Sequence, residues 1–203
     1  LFYGASMLYK PLSTMLLVQE MFKQKHKHMG LRIGDMIPYD SFAQPLLDHK
    51  TMVKVFKKHL YRLAKDKAPL LKTQSAIAHP EDRQVLKKAI SQCPRLGETA
   101  DGKQIYLYQP EPSSVLLREI GRLREIAFRA VGEGSGKRRD TDKYDSYYQQ
   151  LILWDNEELE IVGAYRFAEV ASVVAEHGQQ GLYTASLFQF SEQLQPVLAQ
   201  GLE

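Results

Sequence analysis

The stretch that decides the fold is Arg118–Phe167, which reads REIGRLREIAFRAVGEGSGKRRDTDKYDSYYQQLILWDNEELEIVGAYRF. Apolar residues recur at helical spacing along Val115–Val131, and Ser113 and Ser114 are candidate N-caps, so we predict a helix there. The following segment, Glu133–Asp142, combines two glycines with a run of charges. That composition predicts a loop.

Two strands are predicted after this loop. Leu151–Trp154 and Ile161–Tyr165 carry the apolar, β-branched and aromatic residues that favour strands. The polar residues Asp155–Glu158 between them predict a tight turn. We therefore expect a helix, a loop and an antiparallel hairpin in succession.

Further elements are predicted on both sides of this unit. Glu81–Cys93 has one apolar face and is followed by Pro94, so we expect a helix there. Gln104–Gln109 alternates in the manner of a strand. Glu169–Glu176 and Ser191–Ala199 are predicted to be helical, the second despite a proline. Helices alternating with strands indicate an α/β fold.

On these residues the chain resembles the first half of the acyl-acyl-carrier-protein-dependent N-acyltransferases, which have a GNAT-like fold. That family includes the ornithine-lipid and glycine-lipid N-acyltransferases, proteins labelled hemolysin and, more distantly, the acyl-homoserine-lactone synthases. The resemblance covers roughly residues 80–203 and implies helices packed on a mainly antiparallel sheet. The matching residues, in the family's order, are Leu123-Arg124…Phe128, Gly132-Glu133, Asp142…Asp145, Leu153-Trp154-Asp155 and Ile161-Val162-Gly163…Arg166.

The resemblance also implies site residues. Asp142 and Asp145 match the family's acidic pair and are candidate catalytic residues. Spacing alone favours the alternative, a solvated acidic loop that neutralises the adjacent basic residues, and the resemblance reverses that preference. Gly201-Leu202-Glu203 resembles the start of the family's strand that carries a glutamate general base, which makes Glu203 a third catalytic candidate. The candidate substrate-binding residues are Arg124, Phe128 and Arg166, and the alternative for Arg124 is an ordinary surface arginine. We predict that Arg124 and the two aspartates form one wall of the site.

By resemblance, the complete protein would transfer a fatty acyl group from acyl carrier protein to the amine of an amino acid in aminolipid synthesis. No tightly bound cofactor is expected, and acyl-acyl carrier protein or acyl-CoA would be the donor. The sequence shows no cysteine–histidine pattern that would indicate a metal site. The glycine-rich segment Gly132–Lys137 does not fit a phosphate loop, because Val131 and Arg138 stand where glycine and serine or threonine are needed.

Composition limits the class of protein. The chain has 203 residues, 44% hydrophobic and 25% charged, with a net charge of +3 that argues against a nucleic-acid binder. Cys93 is the single cysteine, which favours a reducing, cytoplasmic compartment. The first residue is Leu1 and the last, Glu203, stands where an element would begin, so we expect a fragment of a longer protein that is inactive by itself.

Residues 1–45 resemble the C-terminal tail of a lysophospholipid O-acyltransferase domain, on an apolar segment followed by Arg32-Ile33-Gly34…Ile37. We predict a strand over Leu31–Ile37. That family's catalytic motif places an aspartate five residues after a histidine, and none of the six histidines here has one. This segment is therefore expected to be a domain remnant without catalysis of its own.

Residues 46–79 are predicted to form a basic amphipathic helix within Leu46–Lys72, followed by a linker. Such a helix suits either an anionic membrane surface or a solvated position between domains. The basic helix also defines the rival function, in which the chain is a non-catalytic module that binds a membrane surface or a partner. Residues 80–203 are then the N-terminal portion of the GNAT-like domain.

Overall fold

A computed structural model describes residues 18, 21–28, 30–43, 48–111, 114–194, 198 and 200–203. The chain divides into two compact units. One comprises Leu1–Gly34 and Leu47–Leu70, and the other comprises Asp35–Leu46 and Leu71–Glu203. About half of the predicted O-acyltransferase remnant, including residues 1–17, lies outside the described residues, and so does Ser113. Among the described residues, no helix has the length and apolarity needed to cross a bilayer.

In the described part of the first unit, the longest element is helix α2 (His49–Leu63). It begins at Asp48, whose carboxylate accepts a hydrogen bond from the Thr51 N–H at 3.1 Å and so satisfies one of the free donors of the first turn. The helix ends at Ala64, and Arg32 donates to the Leu63 carbonyl at 3.0 Å. The predicted basic helix is therefore present within Leu46–Lys72 and ends at Leu63.

The strand predicted over Leu31–Ile37 is wrong. Residues 31–35 have no regular structure, and Met36 forms an isolated bridge with Gln74 in the second unit. The two residues exchange backbone hydrogen bonds of 3.1 and 2.8 Å. A strand needs a neighbouring strand along its length, and here the pairing is confined to one residue. The short helix α1 (Asp40–Ala43) follows this bridge.

The second unit is built on an antiparallel four-stranded sheet with three helices. In chain order, its elements are α3 Arg83–Ile90, β1 Arg95–Glu98, β2 Gln104–Tyr108, α4 Val115–Ala130, β3 Gln149–Asp155, β4 Glu160–Phe167 and α5 Val170–His177. The strands lie in the order β1-β2-β3-β4. The predicted hairpin is confirmed, since β3 and β4 pair from Gln149–Phe167 to Asp155–Glu160.

The main core lies between the sheet and helices α3 and α4. Strand β3 alternates so that Gln150, Ile152 and Trp154 are buried, as expected of a strand with one face on a core. Against them pack apolar residues of both helices and of the neighbouring strands: Leu86, Ile90, Tyr108, Leu116, Ile120 and Ile161. The predicted α/β arrangement of helices on an antiparallel sheet is confirmed.

A second, smaller core joins α5 to the segment after the loop. It contains Tyr144, Tyr148, Ala168, Val170, Val173 and Leu182. The last residues pair beside it, since Ala168 and Glu203 exchange backbone hydrogen bonds of 2.8 and 2.9 Å. Of the helix predicted over Ser191–Ala199, the structure describes a 3-10 turn at Glu192–Leu194, and residues 195–197 and 199 lie outside the described part.

Candidate active site

Asp145 is the centre of the candidate site. Its side chain is 2% exposed, and it accepts hydrogen bonds from Arg124 at 3.0 and 3.2 Å and from Arg166 at 2.9 Å. The local fold brings it there through a 3-10 turn over Lys143–Ser146, in which the Asp142 N–H donates to Asp145 at 2.9 Å. A buried carboxylate between two guanidinium groups is well compensated, because both cations donate directly to it.

Arg166, at the end of β4, joins both aspartates to a group of aromatic rings. Its Nη1 donates to Asp142 at 2.8 Å as well as to Asp145. The guanidinium carbon lies 5.4–5.6 Å from the ring centroids of three tyrosines, within the range of cation–π attraction. Burial lowers the pKa of Arg166, but the hydrogen bonds that it donates to the two aspartates outweigh this effect, so the net shift of the pKa is upward and the cation is stabilised. The three tyrosines are Tyr144, Tyr148 and Tyr183.

Arg124 extends from α4 to the same buried carboxylate, that of Asp145. Besides Asp145 it reaches Asp140 at 3.3 Å. Phe128 lies one helical turn further on and is 42% exposed. The expected ion pair between Arg124 and one of the aspartates is thus present, and it is made with Asp145. The catalytic and substrate-binding roles assigned to these residues remain predictions.

Glu203 lies across the same region. Its carboxylate accepts hydrogen bonds from the Tyr148 hydroxyl and from the Thr184 N–H, and a third from the Tyr183 N–H at 3.1 Å. Burial raises the pKa of Glu203, but these donors outweigh it and hold the pKa below its ordinary value of 4.5. Glu203 is therefore a carboxylate at neutral pH, which is the form that can accept a proton.

These side chains border a cleft of about 700 Å³. All three substrate-binding candidates line it, and so do Asp142 and Glu203, whereas the buried Asp145 lies behind its wall. A second cavity of about 460 Å³ runs between α4 and β4 and is lined almost entirely by apolar groups. The two cavities have four lining residues in common: Ile120, Arg124, Phe128 and Ala164. A polar cleft and an apolar groove therefore meet at Arg124 and Phe128.

Sequence reasoning missed the residue that fastens the glycine-rich loop. Glu125 is fully buried on α4 and accepts hydrogen bonds from the Ser135 N–H at 3.0 Å, the Ser135 hydroxyl at 2.7 Å and the Gly136 N–H at 2.9 Å. Arg129, one turn later, pairs with it at 2.6 Å. The loop amides thus bind an internal carboxylate, which agrees with the exclusion of a phosphate loop. The spacing of four residues indicates the ion pair between Glu125 and Arg129, but it does not indicate the contact with the loop.

Within the described part of the chain, no group of three or more His, Cys, Asp or Glu side chains is arranged to hold a metal ion. The acidic residues of the site instead face arginines and backbone donors.

Comparison with known proteins supports the resemblance over the second unit. Residues 123–203 match the family described as "Acetyltransferase (GNAT) domain". The chain is 43% identical over 121 residues to a "Glycine N(alpha)-acyltransferase" of Phocaeicola vulgatus and 40% identical over 121 residues to one of Bacteroides thetaiotaomicron. Each match covers 57% of this chain but 37% and 36% of the relatives, so the chain spans just over a third of their length. No solved structure matches significantly.

Proposed function

Given a GNAT acetyltransferase domain over residues 123–203, we propose that the protein containing this chain is an N-acyltransferase. It transfers a fatty acyl group from a thioester on acyl carrier protein or coenzyme A to the amine of an amino acid, as a step in aminolipid synthesis. The curated relatives are named for glycine, and glycine is the first acceptor to test.

The observation that carries this proposal is the junction of the two cavities. The polar cleft contains an ionised glutamate and arginines, which suits a small charged amino acid. The groove between α4 and β4 is lined by aliphatic and aromatic carbon, which suits an acyl chain. Because both open at Arg124 and Phe128, an acceptor amine in one and a thioester carbonyl entering from the other would meet there.

Each residue of the cleft has a distinct role in this reaction. Glu203 accepts the proton of the substrate ammonium, directly or through water, so that the free amine attacks the thioester carbonyl. Among the described residues, the hydrogen bonds that Arg166 donates all come from Nη1, which leaves its other N–H groups for the carboxylate of the amino acid. Asp145 and Asp142 hold Arg124 and Arg166 in place.

Strand β4 supplies backbone donors for the oxyanion and the donor substrate. It is the last strand of the described sheet, so the N–H and C=O groups along its outer edge have no neighbouring strand in that sheet. Its pairing with β3 shifts between the pairs Leu153–Gly163 and Trp154–Ile161, which places a bulge at Val162. A bulge re-aims backbone groups at an edge, as is common beside active sites. Collapse of the tetrahedral intermediate then forms the amide and expels the thiolate, which takes up the second proton that the amine nitrogen loses and leaves as the thiol.

The test is acyl transfer by the protein that carries this chain, with acyl-acyl carrier protein and acyl-CoA as alternative donors and glycine as acceptor. Glu203→Gln should lower kcat about 10²- to 10⁴-fold, the usual contribution of a general base, with the KM for the donor retained. Glu176→Gln is the matched control, since its side chain is 76% exposed on α5. Full kcat in Glu203→Gln would refute the role of Glu203, and absence of transfer to any amine by the parent would refute the function and favour the non-catalytic rival.

A further inference from the structure

The outward face of helix α2 carries apolar side chains that its own packing does not use. Val53, Leu60 and Tyr61 are 67%, 60% and 59% exposed. They lie seven and eight residues apart, so they share one side of the helix. Met52, Phe56 and His59, on the adjoining side of the helix, are less exposed. The exposed strip is therefore the edge of the apolar face that remains open to solvent.

Lysines surround this strip. The four lysines of α2 are all exposed, and the helix contains no acidic residue. Lys57 lies within the strip itself, with its ammonium group 5.8 Å from the centroid of the Tyr61 ring. Asp48, just before the helix, has its carboxylate engaged with the Thr51 N–H. The four lysines are Lys50, Lys54, Lys57 and Lys58.

We propose that this face of α2 docks on the surface of an anionic lipid bilayer. The headgroup region offers phosphate charge and acyl carbon side by side over an extended plane, and α2 offers ammonium groups and apolar side chains in the same arrangement. Val53 and Leu60 would enter the acyl boundary while the lysine stems extend to the phosphates. Tyr61 has the amphipathic ring that favours the membrane interface.

A compact acidic protein would complement the lysines but would leave part of the apolar strip uncovered. The mixture of four cations with three exposed apolar groups along one helix therefore favours the lipid surface. This inference does not rest on acyl transfer, because it concerns a different unit of the chain and its test measures only binding to vesicles.

The experiment measures co-sedimentation of the full 203-residue chain with vesicles of phosphatidylcholine alone and of phosphatidylcholine mixed with phosphatidylglycerol. The chain should bind the mixed vesicles and not the neutral ones, and binding should fall as salt is raised from about 0.1 to 1 M, where the screening length drops from about 10 to 3 Å. Lys54→Glu/Lys58→Glu should weaken binding about 30-fold or more, the factor that two lysine contacts represent.

Two controls locate the site. Lys87→Glu/Lys88→Glu on α3 changes the net charge equally at exposed lysines of the second unit and should bind as the parent does. Val53→Ser/Leu60→Ser keeps every charge and should still weaken binding, whereas Val85→Ser, at a residue 50% exposed on α3, should not. Equal binding to neutral vesicles, absence of binding to either kind, or an equal loss in the α3 variants would overturn the proposal. So would binding of this face to an acidic protein without any binding to vesicles.

Discussion

Replacing Asp145 by asparagine should unfold the second unit at a markedly lower denaturant concentration. The carboxylate is buried and accepts two hydrogen bonds from Arg124, one from Arg166 and one from the Asp142 N–H at 2.9 Å. Asparagine has almost the same volume, but it loses the charge and turns an NH₂ group towards groups that are themselves donors. Two guanidinium groups would then remain close together without their shared counter-charge.

The size of the effect follows from burial. Removing one partner of a fully buried ion pair costs about 3–5 kcal/mol. The side chains of Arg124 and Arg166 keep 24% and 16% exposure, so water solvates them in part and we expect about 2–3 kcal/mol. For a chain of this size that corresponds to a fall in Tm of about 4–12 °C.

The assay is urea unfolding followed by the fluorescence of Trp154, the single tryptophan, which is 1% exposed in the core of the sheet. Asp35→Asn, at an exposed aspartate of the same unit, should change the free energy of unfolding by no more than about 0.5 kcal/mol. The reasoning is refuted if Asp145→Asn unfolds at the same urea concentration as the parent. It is also refuted if Arg124→Ala and Asp145→Asn prove additive in the double variant, because residues of one network should couple.

Two further predictions concern the loop. Burial raises the pKa of Glu125, but hydrogen bonds from the loop and from Arg129 outweigh this effect and hold that pKa below its ordinary value of 4.5. The stability that the Glu125 carboxylate contributes to the fold is therefore present above pH 4.5 and is lost as the pH falls below 4.5. Urea unfolding at several pH values should show Glu125→Gln less stable than the parent at pH 7 and less sensitive to acid below 4.5, and Glu176→Gln unchanged. Gly121→Ala should lower the free energy of unfolding, because the added Cβ would lie 2.5 Å from Thr141 Cγ2. Such overpacking costs about 1–3 kcal/mol, which outweighs the gain in helix propensity of at most about 1 kcal/mol. Gly97→Ala, with nothing within 4 Å, is the matched control, and a Gly121→Ala midpoint at or above the parent's would contradict the close approach.

The elements that could be predicted are those whose own residues favour one type of structure. The helix predicted over Val115–Val131 is α4, which ends one residue earlier at Ala130. The predicted strands Leu151–Trp154 and Ile161–Tyr165 lie inside β3 and β4. The helix shows one apolar period over its length, and the strands are short runs of apolar, β-branched and aromatic residues, so the residues of each segment were sufficient to indicate its type.

Segments whose structure depends on pairing with another segment were not predicted correctly. β1 reads Arg95-Leu96-Gly97-Glu98 and has three exposed residues, so nothing in its own composition indicates a strand. It exists because β2 offers a free edge for pairing. Leu31–Ile37 shows the reverse, since its composition favours a strand but only Met36 finds a partner. Tertiary pairing decided both cases.

Some contacts of the candidate site could be predicted from the sequence, and others could not. The contact of Arg124 with the acidic residues could be predicted from helix spacing and loop length. The three tyrosine rings around Arg166 could not, because Tyr183 is 17 residues further along the chain and reaches the site through the fold of the segment after α5. Nor could the role of Glu125, since a glutamate in an amphipathic helix is normally assigned to the solvent side.

The two buried carboxylates together explain how a long, charged loop can form a defined wall of a cleft. Glu125 holds the beginning of the loop at Ser135, and Asp145 anchors the turn that ends it. Between them, the Asp140 N–H donates to the Gly121 carbonyl at 2.8 Å, a close approach that a side chain at residue 121 would obstruct. Because these contacts are made within the chain, the arginines of the cleft are held in position before any substrate binds. The conformational entropy of ordering them is then lost on folding, and it does not reduce the affinity for the acceptor.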